Sequence, residues 1–335
     1  MIVSVSAALS AASEHPPAVS EVRLLAIRVY ITRPVAEKAV EMLRGVAEVS
    51  IWPEPDVPPP YEVVTEAARE SDGLLCLLTD RIDAGLMDAA AGRLRVVSTC
   101  AVGYDNIDVP AATARGIMVC NTPGVLTETT ADLAWSLIMS AGRRIVEGDR
   151  YLRAGKWKSW SPQLMLGQDI HAATLGIIGF GRIGQAVARR ARGFEMEVLY
   201  SDPVRRIESE KSIGARFVEL PELFRRSDFV SIHAPLTPET RHMIGREELA
   251  LMKPTAVLVN TARGPIVDEA ALAQALREKR IFAAGLDVFE AEPLPQESPL
   301  LGLANVVLLP HIGSASVATR TRMACMAAEN LVAGL

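Results

Sequence analysis

The 335-residue sequence predicts an α/β fold in two domains, each a parallel sheet flanked by helices. Three observations carry this reading. Short apolar runs alternate with helical segments from Ile27 onward. A glycine-rich turn, Gly179-Phe180-Gly181-Arg182-Ile183-Gly184, sits mid-chain at the end of one such run. The alternation is broken at Asn121-Thr122-Pro123-Gly124, so one set of strand–helix units precedes the break and a second follows it.

Residues 1–26 are rich in Ala, Ser, Pro and Val. They lack the basic start and long apolar core of a signal peptide, and read as a poorly ordered extension in which His15 is inert. Residues 27–32 then read as a strand and 34–43 as a helix opened by Pro34 near its first turn. A second strand follows at 47–52, and the proline-rich run 53–60 fits no regular element. Helix 61–70, strand 73–78, helix 84–91, strand 95–99, short helix 110–115 and strand 117–120 continue the alternation. Residues 127–150 read as the longest helix, with Thr127 or Thr129 as its cap. Residues 151–166, with Trp157 and Trp160, show no period. Beyond the glycine turn, strands are expected at 229–233, 256–260, 283–288 and 306–309, and a last helix from about Ser316. The break at 121–126 and a second crossing near Pro310 imply that this helix returns to the first domain. The cleft between the domains is then the expected active site.

The glycine turn belongs to a larger unit. Leu175–Ile178 has strand length, Ile183, Ala186, Val187 and Ala191 fall on one helical face, and Val198–Tyr200 is a second apolar run. That run leads into Asp202, 18 residues beyond Gly184. Strand, G-x-G-x-x-G, helix, strand and acid in this order form a dinucleotide-binding fingerprint. Gly179 permits the tight turn, Gly181 lets a pyrophosphate approach the backbone, and Gly184 lets helix and strand pack. The helix N-terminus presents free N–H groups and positive potential to the phosphates. Asp202 can accept bonds from ribose hydroxyls, which favours NAD over NADP. Arg205 and Arg206 follow closely and partly offset that preference.

Composition narrows the class. With 49 % hydrophobic and 22 % charged residues and a net charge of −5, the chain has an ordinary globular balance. Nothing there attracts nucleic acid or an anionic membrane, and no apolar run reaches the ~18 residues of a membrane span. Cys76, Cys100, Cys120 and Cys325 are scattered without metal-ligand spacing and read as reduced thiols of a cytoplasmic protein; no metal is expected.

A nicotinamide supplies hydride but neither an anchor for the substrate nor a proton donor. Three later segments place charged groups just past strand ends: 259–264 with Arg263, 286–293 with Glu290 and Glu292, and 309–314 with His311. Arg263 can grip a carboxylate through two parallel hydrogen bonds. His311 suits the protonation of a developing alkoxide, and a carboxylate such as Glu292 would keep the ring cationic. Taken alone, an Arg or Glu past a strand is usually a solvated surface charge, and a lone His is more often structural than catalytic. His233 follows an apolar strand and reads as lying against the cofactor, whereas His171 and His242 read as surface.

At these positions the sequence resembles the D-isomer-specific 2-hydroxyacid dehydrogenase family. The resemblance spans residues 27–335 through AVGYDNID (101–108), GIIGFGRIG (176–184), HAPLT (233–237), LVNTARG (258–264), GLDVFEAEP (285–293) and LPHIGSAS (309–316). TPGVLTETTADLA and MLGQDI bring it nearest to the glyoxylate and hydroxypyruvate reductase branch. The resemblance implies a catalytic trio of Arg263, Glu292 and His311. It implies cofactor contacts at Gly179, Gly181, Arg182, Ile183, Gly184, Asp202, Ala234, Thr261 and Asp287, with Asp287 near the nicotinamide amide. It places Leu78 and the Val102 and Gly103 backbone against the substrate.

The implied fold is a Rossmann domain, residues 125–310, inserted into a smaller flavodoxin-like substrate domain, residues 27–124 and 311–335. A homodimer through the nucleotide-binding domain is also implied, with helix 127–150 at the contact and Trp157 and Trp160 either packing there or reaching a neighbouring pocket. The expected activity is NAD(H)-dependent reduction of a small 2-oxo acid such as glyoxylate or hydroxypyruvate. Phosphoglycerate or phosphite dehydrogenases share the trio, and the family also includes non-catalytic NAD-sensing proteins. Formate dehydrogenases lack the Glu–His pair.

Overall fold

In the computed structural model, which describes residues 26–335, the chain builds two separate parallel sheets. The first contains β1 (Arg28–Ile31), β2 (Glu48–Ile51), β3 (Gly73–Cys76), β4 (Val96–Thr99) and β5 (Met118–Cys120), in the order β2-β1-β3-β4-β5. This is the flavodoxin-like order. Its helices are α1 (Glu37–Arg44), α2 (Tyr61–Glu70), α3 (Ala84–Ala89) and α4 (Val109–Ala114). Central strands β3 and β4 are buried along their whole length, as a sheet covered on both faces requires.

The chain then crosses to a second, seven-stranded sheet through α5 (Thr127–Gly142) and α6 (Ile145–Arg153). Its strands are β6 (Thr174–Ile178), β7 (Glu197–Ser201), β8 (Ala215–Phe217), β9 (Phe229–Ile232), β10 (Val257–Asn260), β11 (Ala283–Leu286) and β12 (Val306–Leu308). They run β12-β11-β10-β9-β6-β7-β8, all parallel. Helices α7 (Arg182–Ala191), α8 (Ile207–Ile213), α9 (Leu220–Arg226), α10 (Arg246–Leu251) and α11 (Glu269–Arg277) connect them. The order reverses between β6 and β9, which opens a crevice at their carboxyl ends. After β12 the chain recrosses, and α12 (Val317–Gly334), capped by Ser316, lies against the first sheet. There Ala324, Cys325, Ala327, Ala328 and Leu331 share a core with Val29, Ile31, Val40 and Leu43.

Two expectations are corrected. The single helix over 127–150 is two helices. Arg144 adopts a left-handed backbone (φ 55°). Gly142 gives its carbonyl to the Gln168 N–H (2.8 Å) instead of continuing the ladder. Arg144 then forks onto Glu147 (2.7 and 2.8 Å), which fixes the new axis. Neither proposed cap acts: Leu126 takes the cap position without a side-chain bond, and Thr129 Oγ1 instead meets Thr319 Oγ1 at 2.6 Å. The edge strand β8 had no sequence expectation; it is only three residues long. The extension, except Ala26, lies outside the described residues. Among them, no helix is long and apolar enough to cross a membrane, and no cluster of His, Cys, Asp or Glu could hold a metal ion.

Helix α5 explains how the second sheet is closed on one face. Ala131, Ala134, Leu137, Ile138 and Ala141 are buried against β10, β11 and α7. Trp135 adds a bond from Nε1 to the Val187 carbonyl (3.0 Å). Small residues permit the approach: a Cβ on Gly285 would stand 2.9 Å from Leu137 Cβ.

Candidate active site

Residues from both sheets meet where the strands end. The glycine turn follows β6. Gly179 has φ 87°, a left-handed conformation that only glycine adopts freely. A Cβ there would also stand 2.6 Å from the Ala234 nitrogen, so Gly179 lets the β6 and β9 loops touch. A Cβ on Gly184 would overlap the Gly179 carbonyl oxygen, which makes this glycine the close contact between α7 and its strand. Gly181 differs. As N-cap of α7 it has open space where a Cβ would lie, at the positive end of a 10-residue helix.

That cradle suits a pyrophosphate, and two buried polar atoms point to the rest of a dinucleotide. Thr261 Oγ1 and Asp287 Oδ2 have no hydrogen-bond partner in the protein. Burial pushes the Asp287 carboxyl above its ordinary value, against the bond that Oδ1 accepts from the Ile312 N–H and the charge of His311. These features fit a nicotinamide dinucleotide.

Asp202 follows β7 and spans the turn. Its Oδ2 accepts from the Phe180 N–H (2.7 Å) and its Oδ1 from the Val204 N–H (2.8 Å). Arg182 is exposed and Ile183 half-buried at the start of α7. The two arginines that could favour a 2′-phosphate differ in their engagement. Arg205 is held by Glu210 at 2.8 and 3.0 Å, and the Tyr200 hydroxyl also donates to Glu210 (2.7 Å). Arg205 first, then Tyr200, hold the Glu210 carboxyl down to about 2. Among the described residues Arg206 has no ion pair.

The chemistry-bearing trio comes together. Arg263 follows β10 in a loop shaped by Asn260, whose side chain donates to the Arg263 carbonyl (2.9 Å) and accepts from the Ala262 N–H (3.0 Å). Gly264 packs directly on the Phe289 backbone, where any Cβ would overlap it, and so joins this loop to the one after β11. In that second loop the Phe289 N–H donates to Glu292 Oε1 (3.0 Å), which turns the other carboxylate oxygen toward His311. His311 Nδ1 meets Glu292 Oε2 at 2.7 Å, with the two side chains 25 % and 26 % exposed. Burial alone would raise the Glu292 carboxyl. The bond and charge of His311, the Phe289 N–H and the Arg263 charge outweigh it and hold Glu292 below the usual carboxylate range.

His311 itself adopts φ 55°, unusual for a residue other than glycine. It is held there by bonds from its N–H to the Asp287 carbonyl (2.9 Å) and from the Ile312 N–H to Asp287 Oδ1 (2.8 Å). A strained backbone kept by the surrounding bonds is common where a side chain must be aimed. Glu290 turns away, to His242 (3.0 Å) and the Glu269 N–H (2.9 Å). His171 is likewise a surface residue, facing Glu195. His233 lies beside the glycine turn with Nε2 2.8 Å from Ser231 Oγ, and burial pushes its imidazole down to about 3.

The first sheet contributes the opposite wall. Leu78 is half-buried after β3. Val102 and Gly103 lie after β4, where the Asn121 side chain binds the Val102 carbonyl (2.8 Å). Among the described residues neither the Val102 nor the Gly103 N–H donates to another group of the protein. Sequence reasoning passed over Asp105, whose Oδ1 lies 2.9 Å from Arg263 Nη2 across the cleft. Its only sequence signal is a place inside the AVGYDNID run. A cavity of about 500 Å³ lies elsewhere, between α5, α6 and the amino ends of β11 and β12, opposite the loops that carry Arg263, Glu292 and His311.

A sequence model described as the D-isomer specific 2-hydroxyacid dehydrogenase NAD binding domain matches residues 135–313. The chain is similar to a glyoxylate reductase of Korarchaeum cryptofilum, 56 % identical over 307 residues, which are 91 % of this chain and 92 % of that protein. It superimposes on the crystal structure of a Thermus thermophilus protein with a TM-score of 0.86 and 46 % identity, over 92 % of this chain and 96 % of the other. An NADPH-dependent glyoxylate/hydroxypyruvate reductase of Sinorhizobium meliloti, solved with NADP and malonate, gives 0.79 and 35 %, over 92 % and 93 % of the two chains.

Proposed function

Because this chain belongs to the D-isomer specific 2-hydroxyacid dehydrogenase family, we propose that it reduces a small 2-oxo acid, glyoxylate or hydroxypyruvate, to the 2-hydroxy acid with NADH. The observation that carries this is the 2.7 Å His311–Glu292 pair, beside Arg263, in the crevice past the β10, β11 and β12 ends.

In this reading residues 27–124 and 311–335 hold the substrate and residues 125–310 hold the dinucleotide. Gly179, Gly181, Arg182, Ile183 and Gly184 face the pyrophosphate, Asp202 the ribose, and Ala234, Thr261 and Asp287 line the way to the nicotinamide. When bound, the reduced cofactor supplies a hydride to C2 of the oxo acid. Arg263 and the Val102 and Gly103 N–H groups hold the substrate carboxylate, with Leu78 against its apolar side. His311 gives its Nε2 proton to the carbonyl oxygen as negative charge develops there, and recovers it from solvent. Glu292 holds Nδ1, which orients the ring and stabilises its cation. NAD is favoured over NADP because Asp202 stands at the ribose position and Glu210 occupies Arg205.

We also propose a homodimer of this chain through the second sheet's side. Ile145 (53 %), Leu152 (56 %), Trp160 (79 %) and Leu166 (56 %) are exposed on α6 and the irregular segment after it. Apolar side chains left open to solvent along this side support that reading.

The test follows NADH absorbance with glyoxylate, hydroxypyruvate, pyruvate and phosphite, repeated with NADPH. Glyoxylate or hydroxypyruvate turnover with NADH is expected. His311→Gln lowers kcat by about 10²-fold or more with NADH affinity intact. Full turnover in that variant rejects the assignment, and no turnover of any substrate by a chain that binds NADH favours a sensor.

A further inference from the structure

We propose that Asp105 is a positioning residue for substrate binding, which sets the guanidinium of Arg263 so that one edge remains free for a carboxylate. The inference rests on Arg263 being the substrate anchor.

A guanidinium carries five N–H groups in one plane. In Arg263, Nε donates to Asp105 Oδ1 (3.0 Å), and Nη2 lies 2.9 Å from the same oxygen. On the other flank Nη1 donates to the Ala262 carbonyl (2.8 Å). Asp105 thus takes the Nε–Nη2 side of the fork, and Ala262 takes one of the two N–H groups of Nη1. In a planar guanidinium the edge left to a ligand is the one that Nη1 and Nη2 share. That edge matches the two oxygens of a carboxylate. Asp105 therefore does not consume the recognition capacity of Arg263; it orients it. A cation held on both flanks loses little rotational freedom when the substrate arrives.

Asp105 is itself fixed. Its neighbour Asn106 donates to the Leu77 carbonyl (3.0 Å) and the Asp80 carbonyl (2.7 Å), which ties the loop to the end of β3. Gly103 is needed for the approach, since any Cβ there would overlap Arg263 Nη2. The pair joins loops 158 residues apart, from opposite walls of the cleft. Their side chains are 42 % and 23 % exposed. An ion pair this accessible contributes little to stability, so its value lies in geometry.

The experiment measures glyoxylate kinetics, the Kd of NADH, and calorimetric binding of oxamate to the enzyme–NADH complex. The variants are Asp105→Ala, Asp105→Asn, Arg263→Ala and the Asp105→Ala/Arg263→Ala double variant. Asp105→Ala is expected to raise KM and the oxamate Kd about tenfold, with kcat changed less than about threefold and NADH Kd unchanged. Asp105→Asn, which keeps one acceptor oxygen, restores part of the loss. In the Arg263→Ala background the Asp105 effect disappears, because a positioning residue has nothing left to position. An unchanged KM and oxamate Kd in Asp105→Ala overturns the inference while Arg263→Ala still weakens oxamate. An Asp105 effect of equal size in both backgrounds overturns it in favour of a general structural role. If Arg263→Ala itself leaves oxamate binding intact, the anchor reading fails and the inference falls with it.

Discussion

Replacing Glu292 with Gln removes one charge and leaves the shape of the site nearly intact. In the native protein one carboxylate oxygen accepts from the Phe289 N–H and the other from His311 Nδ1. A glutamine that keeps the Phe289 bond must turn its NH₂ toward Nδ1, so the ring has to accept there instead of donating. The cationic ring, which donates from both nitrogens, is then opposed. A hydrogen bond to a charged group contributes about 1.5–3 kcal/mol. At 1.36 kcal/mol per tenfold, the variant should lose about 10- to 150-fold in kcat where the native ring is charged.

Glu292 also sets a pH dependence of its own. Its carboxyl lies below the usual range, so the native pair persists as pH falls through ordinary carboxylate values and is lost only beneath them. The assay is NADH oxidation with saturating glyoxylate from about pH 5 to 9. Superimposable native and variant profiles would refute the claim that Glu292 acts through His311.

Two glycines of the turn should separate binding from folding. Gly181→Ala adds a Cβ into open space and should weaken NADH binding with little change in melting temperature; Gly184→Ala meets the Gly179 carbonyl and should cost about 1–3 kcal/mol of stability. Calorimetry of both variants decides, and equal effects on folding would reject the distinction. Replacing Trp160 and Leu166 with Ser should weaken self-association about tenfold or more. An unchanged mass distribution in sedimentation would count against that surface.

The fold was legible because both sheets are parallel and covered. Strands such as Leu74–Cys76 and Val257–Val259 are buried on both faces, so each appears in the chain as an unbroken apolar run. The glycine turn was legible because each glycine meets a separate steric or ligand demand. The end of α5 was not. No proline marks it, and Arg143 and Arg144 are good helix formers; the break arises when Gln168, 26 residues beyond Gly142, takes that residue's carbonyl. Strand β8 was missed because three residues carry no period. Asp105 was missed for a related reason, since its partner is set only when two loops from different sheets face each other. Local patterns report on neighbours in the chain; such pairings depend on the completed fold.

The chain passes between its two sheets along two segments, before α5 and before α12, and Thr129 and Thr319 join them side by side at 2.6 Å. His311 opens the segment that returns to the first sheet, yet Asp287 and Glu292 tie it to the second. The Val102 and Gly103 backbone, by contrast, follows β4 of the first sheet. The proton donor proposed here is therefore braced by the same sheet that carries the glycine turn, and the groups proposed to hold the substrate carboxylate come from both.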